Sequence, residues 1–213
     1  MIHPHLLVRD LLAGIFIAAV RAEPEADGLL VELERWAEGN GAGAKLAALR
    51  TEEGTALFEP SGQLAQSFEP FAPYLRDRAQ RFSAARAWIR EDGAEQDVFE
   101  CARSAWDAGL FFEIHELLEP VWAAEQGPER QALQGLIMAA VGMHHLCEGN
   151  RAGAQDLLCA AAGCLSSAPE TRGLDLERFA GDLAGLASRV EEGWSGTAED
   201  LESVPHLERR SPD

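Results

Sequence analysis

The amino-acid sequence predicts an all-α fold of about eight or nine helices. Residues that favour helices, chiefly Ala, Leu, Glu and Arg, dominate the 213-residue chain. Apolar residues recur at intervals of three and four in most segments, whereas the alternating Val, Ile, Thr and Tyr typical of strands are missing. Gly, Pro and Asn separate these segments, at positions where helices would stop. A chain of this length can bury a substantial hydrophobic core.

The N-terminal part of the chain predicts three helices, and Pro4 suits the first turn of the first one. Their ranges are residues 4–21, 23–38 and 42–50. Residues 51–73 are interrupted by Gly and Pro, so we expect a connector with one short helix, packed by its Phe side chains. This break predicts a domain boundary, with residues 1–73 forming an N-terminal helical extension or subdomain.

A long amphipathic helix is predicted next, over residues 74–90, and it is rich in Arg. The arginines are Arg76, Arg78, Arg81, Arg86 and Arg90. Such a cluster is unusual in a chain with 18 Lys and Arg against 36 Asp and Glu. One interpretation is a solvated face whose arginines pair with neighbouring carboxylates. The other is a site for an anion or for a protein partner.

Five further helices are predicted, at residues 94–108, 111–125, 129–148, 150–167 and 174–190. Gly109 is a predicted C-terminal cap, and Asn150 is a predicted N-cap. The helix at residues 129–148 is apolar nearly all round, which predicts a buried position at the centre of the helical array. Residues 74–193 therefore form the predicted core domain, and residues 194–213 a flexible tail.

The helix before the central one carries polar side chains beside its apolar arc. His115 and Glu119 lie four residues apart, so they share one helical face. That face is flanked by Phe112 and Trp122, which predicts that the His–Glu pair is buried or half-buried. Because buried polar groups need partners, the pair marks a candidate site. Glu113, by contrast, is predicted to point outward.

The central helix contributes a second set of polar residues. Gln134, Met138 and His145 share one stripe of this helix. A short turn at residues 126–130 makes the two helices antiparallel neighbours. Gln134 or His145 is then expected to face the His–Glu pair. The candidate polar site comprises His115, Glu116, Glu119, Gln134 and His145, walled by Phe112, Trp122 and Met138.

Three interpretations of this candidate site are open. In the first, a buried His–Glu pair hydrogen-bonds across the helices and fixes their register. In the second, His115 and Glu119 hold a divalent metal ion together with His144 or His145. The order His-Glu-x-x-Glu lacks the second His of the zinc-protease motif, and the paired Glu-x-x-His motifs of di-iron bundles are missing. In the third, a Glu acts as acid or base in a small-molecule pocket.

A fourth interpretation belongs to a different class of function, in which the chain is an interaction or scaffolding module. Its acidic surface or its Arg-rich helix would then meet a protein partner or a second copy of the chain. The sequence has no Gly-x-Ser-x-Gly elbow and no Walker or dinucleotide-binding glycine pattern. It therefore leaves open whether the protein is an enzyme, and it specifies no reaction, cofactor or small-molecule ligand.

Several short motifs around the candidate site resemble a known family. They are Phe-Phe-Glu-Ile-His-Glu-Leu-Leu-Glu at residues 111–119 with Trp122 following, Gln-Gly-Leu-Ile at residues 134–137, His144-His145, and Gly149-Asn150 with Gly153-Ala154. Over about residues 100–165 the chain is similar to the bacterial and archaeal domain of unknown function numbered 309. The resemblance implies a small all-helical fold and no established activity. Pro120 stands where we expect an ordinary helix former, which predicts a kink that alters the direction of Glu119.

The net charge and the cysteine content limit which partners and which cellular compartment we expect. The formal net charge of −18 would repel nucleic acid and an anionic membrane surface, so we expect neither as a partner. The apolar run at residues 11–20 is too short to span a bilayer and predicts a buried N-terminal helix. Four Cys without a two-residue spacing fit free thiols in a reducing cytoplasm. The alternative is an exported protein, with residues 1–22 as a signal peptide.

Overall fold

A computed structural model of the chain describes residues 4–41, 43–91, 97–194 and 203–210. Within these ranges the chain forms nine α-helices and no β-strand, which confirms the predicted all-α fold. Strand-like pairing in the same ranges is confined to isolated bridges. None of the described helices is both long enough and apolar enough to cross a membrane.

The chain divides into two compact units, residues 1–97 and 98–213. The sequence placed its boundary at residue 73 instead, in front of the Arg-rich helix. That helix falls in the first unit because it packs on the first two helices of the chain. The helices of the first unit are α1 (Pro4–Val20), α2 (Pro24–Ala37), α3 (Ala44–Ala48) and α4 (Ala72–Glu91).

The first unit is built on its N-terminal helix. α1 packs on α2 and α4, and α2 also packs on α3. Phe16 of α1 and Phe82 of α4 are buried and stack with their ring centroids 5.0 Å apart. The buried N-terminal helix predicted from the apolar run is therefore confirmed over the described residues.

The connector between α3 and α4 contains one short 3-10 helix, Gln66–Phe71. Phe58 pairs with Leu64 in an isolated antiparallel bridge. Phe58 and Phe68 are both buried. The predicted connector, held in place by its Phe side chains, is confirmed.

At least three arginines of α4 pair with carboxylates, as one interpretation of the Arg cluster predicts. Arg78 Nε lies 3.7 Å from Asp77 Oδ2. Arg81 Nε lies 2.8 Å from Asp77 Oδ2, one turn earlier on the same helix. Arg86 Nε lies 2.6 Å from Asp27 Oδ1 of α2. The side chain of Arg90 lies outside the described residues.

The described part of the second unit is a run of five helices, each packed on the next. They are α5 (Val98–Asp107), α6 (Phe111–Ala124), α7 (Glu129–Cys147), α8 (Arg151–Ser166) and α9 (Leu176–Glu192). The predicted start of α5 at residue 94 lies outside the described residues. α7 is third in this run and buries Leu133, Leu136 and Ala140, which confirms the predicted central helix.

Both helix caps predicted in this unit are present. Gly109 follows α5 with a φ of 69°, and the N–H of Leu110 donates to the carbonyl oxygen of Ala105 at 2.9 Å. Asn150 Oδ1 accepts a hydrogen bond of 3.2 Å from the N–H of Gly153 and so caps the start of α8.

The contact between α7 and α8 depends on small residues in α7. A Cβ atom built on Gly135 would lie 2.5 Å from Leu165 Cγ, far inside van der Waals contact. A Cβ atom on Gly142 would lie 3.1 Å from Leu158 Cγ. Leu165 and Leu158 are both buried, so neither side chain can turn aside into solvent. Glycine at these positions therefore lets the two helices approach closely.

Residues 203–210 pack on the second unit, although the sequence predicted a flexible tail over residues 194–213. Trp106 Nε1 donates a hydrogen bond of 2.6 Å to the carbonyl oxygen of Pro205. Val204 and Leu207 are buried and anchor this segment. The prediction considered the charge-rich composition of the tail and overlooked these two apolar residues. The rest of the predicted tail after Trp194 lies outside the described residues.

A buried carboxylate ties this segment to α5. Glu100 is 3% exposed and accepts hydrogen bonds from Arg103 Nε at 2.8 Å and from Arg209 Nε at 2.9 Å. Burial by itself raises the pKa of Glu100, but the two hydrogen bonds and the positive charges of the arginines outweigh it, so its pKa lies below the ordinary value. We call this group of Glu100, Arg103 and Arg209 the α5 clamp.

We expect Glu100→Gln to lower the free energy of unfolding at pH 7 by about 1–3 kcal/mol, because both guanidinium groups lose their charged acceptor. Folding lowers the pKa of this carboxyl. Its contribution is therefore complete above the pKa of the unfolded chain and is lost as the pH falls through the folded value. Urea unfolding followed by circular dichroism, from pH 7 downward, checks both statements. Glu177→Gln, exposed on α9, is the control. Equal stability of Glu100→Gln and the wild type at pH 7 would contradict the clamp.

We expect Gly135→Ala to destabilise the protein by about 1–3 kcal/mol, because the added methyl group overlaps Leu165. Helix propensity acts in the opposite direction, since Ala is favoured over Gly by about 1 kcal/mol. Gly185→Ala in α9 is the matched control, and it should stabilise because its Cβ meets nothing within 4 Å. Differential scanning calorimetry of the two variants and the wild type measures the change in melting temperature. A rise in melting temperature for Gly135→Ala would show that close helix contact is not required.

Candidate functional site

α6 and α7 form an antiparallel hairpin that is fixed at both ends by ring contacts. At the turn, the guanidinium carbon of Arg130 lies 4.2 Å from the centroid of the Trp122 ring. At the opposite end, the ring centroids of Phe112 and His144 are 5.4 Å apart. Arg130 also donates hydrogen bonds to the carbonyl oxygens of Trp122 and Glu125, which ties the end of α6 to the start of α7.

One stripe of α6 carries the predicted site residues. Phe112, His115, Glu119 and Trp122 follow one another at intervals of three, four and three, so they lie on one helical face. Phe112, His115 and Trp122 are half-buried, and Glu119 is exposed. The indole Nε1 of Trp122 is buried and has no hydrogen-bond partner among the described residues. The stripe therefore combines aromatic walls with accessible charge.

The imidazole of His115 lies between two carboxylates. Its Nδ1 is 3.1 Å from Glu116 Oε1, and its Nε2 is 3.7 Å from Glu119 Oε2. The side chains of His115, Glu116 and Glu119 are 27%, 40% and 57% exposed. A neutral imidazole donates a proton from one ring nitrogen only, whereas a protonated one donates from both. We call these three side chains the His115 cluster.

The central helix does not complete this cluster in the predicted way. Gln134 is exposed and lines a surface depression of about 600 Å³ with Gln131, Cys164 and others. Among the described residues Gln134 forms no hydrogen bond with the His115 cluster. The Nδ1 of His145 lies 3.2 Å from Asn150 Nδ2, beyond the end of α7. Met138, predicted as a wall, is half-buried.

Two further expectations concern a metal and Pro120. The described residues contain no group of three or more His, Cys, Asp and Glu side chains arranged to hold a metal ion. His144, a predicted metal ligand, has its ring against Phe112. α6 continues through Pro120 to Ala124, and the contact between Glu119 and His115 is kept.

The sequence missed two buried carboxylates in this unit. Glu113 was predicted to point outward, and that prediction is wrong, because the residue is fully buried. It shares a face with Leu110 and Leu117, which are also buried, so helical spacing did contain the signal. Glu100 was not singled out, since its partner Arg209 is remote in sequence.

The fold and the site define a class of protein: an all-helical unit with a His–carboxylate cluster on the outer face of an antiparallel hairpin. Residues 99–157 match the family described as Domain of unknown function (DUF309). This match confirms the resemblance predicted over about residues 100–165. It includes α5, α6, α7 and the start of α8, and with them the whole His115 cluster.

A relative from Aquifex aeolicus (strain VF5), named "Uncharacterized protein", is 32% identical over 101 residues. The aligned segment covers 46% of this chain and 30% of the relative, so the chain matches less than a third of the relative's length. No solved structure matches the chain.

We expect His115→Ala and Glu119→Gln each to change the free energy of unfolding by less than about 1 kcal/mol, the usual range for exposed ion pairs. The structural interpretation requires more, because breaking a buried pair costs about 3–5 kcal/mol. Urea unfolding of each variant beside the wild type measures the difference. A loss of several kcal/mol in both variants would support the structural interpretation and contradict a ligand-binding site.

Proposed function

We propose that the protein binds a small organic cation, such as a primary amine or a guanidinium compound, at the His115 cluster. One observation carries this proposal: two partly exposed carboxylates converge on a single imidazole. Even with His115 protonated, the cluster keeps one negative charge in excess. A cationic ligand would neutralise that charge and donate hydrogen bonds to the carboxylate oxygens.

The aromatic neighbours support the same class of ligand. The Phe112 ring centroid lies 6.3 Å from that of His115, so a cation bound at the cluster would find an aromatic ring nearby. Elsewhere on the same stripe, the Trp122 ring already has the Arg130 guanidinium against it at 4.2 Å. This hairpin thus uses contact between a cation and an aromatic ring within its own fold.

The charge of the whole chain would assist association with a cation. A formal net charge of −18 attracts cationic ligands and repels anionic ones over distances up to the screening length. Binding should therefore weaken as salt is added.

A divalent metal ion is the second candidate ligand. The supporting observation is the approach of His115 Nε2 to Glu119 Oε2, because an imidazole and a carboxylate at i and i+4 are able to share one ion. An ion held by these side chains would complete its coordination with water. The cytoplasmic location and a protein partner remain predictions from the sequence.

We expect benzylamine and agmatine to bind the full chain and to shift the imidazole NMR signals of His115, while benzyl alcohol does not. Glu116→Gln combined with Glu119→Gln should weaken binding at least about tenfold, equivalent to 1.4 kcal/mol. Isothermal titration at low and high salt supplies the affinities. Zn²⁺ in place of the amine tests the metal candidate with the same variants.

Asp156→Asn combined with Glu177→Gln is the matched control, since both residues are exposed, on α8 and α9, and the pair of substitutions removes two negative charges, as the test variant does. If the control variant weakens amine binding as much as the double variant does, only the overall charge is responsible. Equal shifts with benzyl alcohol, or tight binding of Zn²⁺ without amine binding, would reject the organic cation.

A further inference from the structure

The first unit contains a cavity that is separate from the His115 cluster. Its volume is about 380 Å³, within the size range of small-molecule sites. Four buried apolar side chains, from α1, α2 and α4, form part of its lining. They are Phe16, Val20, Leu30 and Ile89. The remaining lining includes one ion pair, Asp27 with Arg86.

The guanidinium of Arg86 is only partly used by the protein. Asp27 Oδ1 accepts from its Nε at 2.6 Å and so fixes the direction of the planar group. The terminal nitrogens of Arg86 form no hydrogen bond with any described residue. The Arg86 side chain is 19% exposed, so a ligand in the cavity would reach these nitrogens in a largely desolvated place. Two parallel N–H groups of this kind match the two oxygens of a carboxylate.

We propose that this cavity binds a small monocarboxylate with an apolar body, such as a medium-chain fatty acid. The carboxylate would accept hydrogen bonds from the two terminal nitrogens of Arg86, and the hydrocarbon body would lie against Phe16, Leu30 and the other apolar side chains. Asp27 would remain on Nε and hold the guanidinium in place. Its negative charge disfavours a second acidic group on the ligand, so a monocarboxylate is preferred over a dicarboxylate.

This site goes beyond the proposed function because it lies in the other unit and takes a ligand of opposite charge. Anion binding here must overcome the repulsion of a chain with a formal charge of −18. The apolar body supplies the compensating attraction. Affinity should therefore rise with chain length until the cavity is full, and added salt should strengthen binding instead of weakening it.

The test is isothermal titration of the full chain with octanoate, against acetate and octan-1-ol. We expect saturable binding of octanoate below millimolar concentration, and binding at least about tenfold weaker for the other two probes. Arg86→Gln should weaken octanoate binding by a similar factor. Arg81→Gln is the matched control on the same helix, because Arg81 pairs with Asp77 and does not line the cavity.

Ala19→Leu provides a second variant that leaves the charges unchanged. Ala19 lines the cavity, so a larger side chain should fill it and abolish octanoate binding while Arg86 stays in place. Octanol binding as tight as octanoate binding would overturn the proposal, as would unchanged affinity in Arg86→Gln. Absence of saturable octanoate binding to the wild type would overturn it as well.

Discussion

The close approach of α7 to α8 sets the geometry of the second unit. Gly135 and Gly142 remove the Cβ atoms that would hold the two helices apart, so one side of α7 is covered tightly. α6 covers another side, and a third strip that includes Met138 and Val141 stays partly exposed. Because interiors are close-packed, fixing α7 on α8 also fixes the hairpin that presents the His115 cluster. The contacts within the cluster lie on α6 alone, and the packing determines only where the hairpin presents them.

Features that depend on neighbours in sequence could be predicted from the sequence. The Asn150 cap joins residues three positions apart, and the stop at Gly109 joins residues five positions apart. The contact of His115 with Glu119 follows from a spacing of four. The connector at residues 51–73 was marked by its own Gly and Pro. In each case the physical cause lies within one or two helical turns.

Features that depend on which helix covers a face could not be predicted in this way. Periodicity places Gln134 and His145 on faces of α7, but it does not say which neighbour covers each face. The error at Glu113 has a different cause, because its spacing from the buried Leu110 and Leu117 already placed it on the apolar face of α6. The packing of residues 203–210 depends on Arg209 reaching a carboxylate 109 positions earlier in the chain. No local pattern reports a contact at such a distance.

The role of each charged residue depends on how deeply it is buried and on whether opposite charges neutralise it, more than on its residue type. Glu100 is buried and meets two arginines, so a ligand could take its place only by breaking the α5 clamp. Glu116 and Glu119 share one imidazole and remain accessible, which leaves negative charge for a ligand. Arg86 is the cationic counterpart, because Asp27 accepts only from its Nε and the residue lines a cavity. Both proposed sites therefore lie where charged side chains keep hydrogen-bonding groups that the protein does not use. In the second unit these groups are carboxylate acceptors, which suit a cation, and in the first unit they are guanidinium donors, which suit an anion.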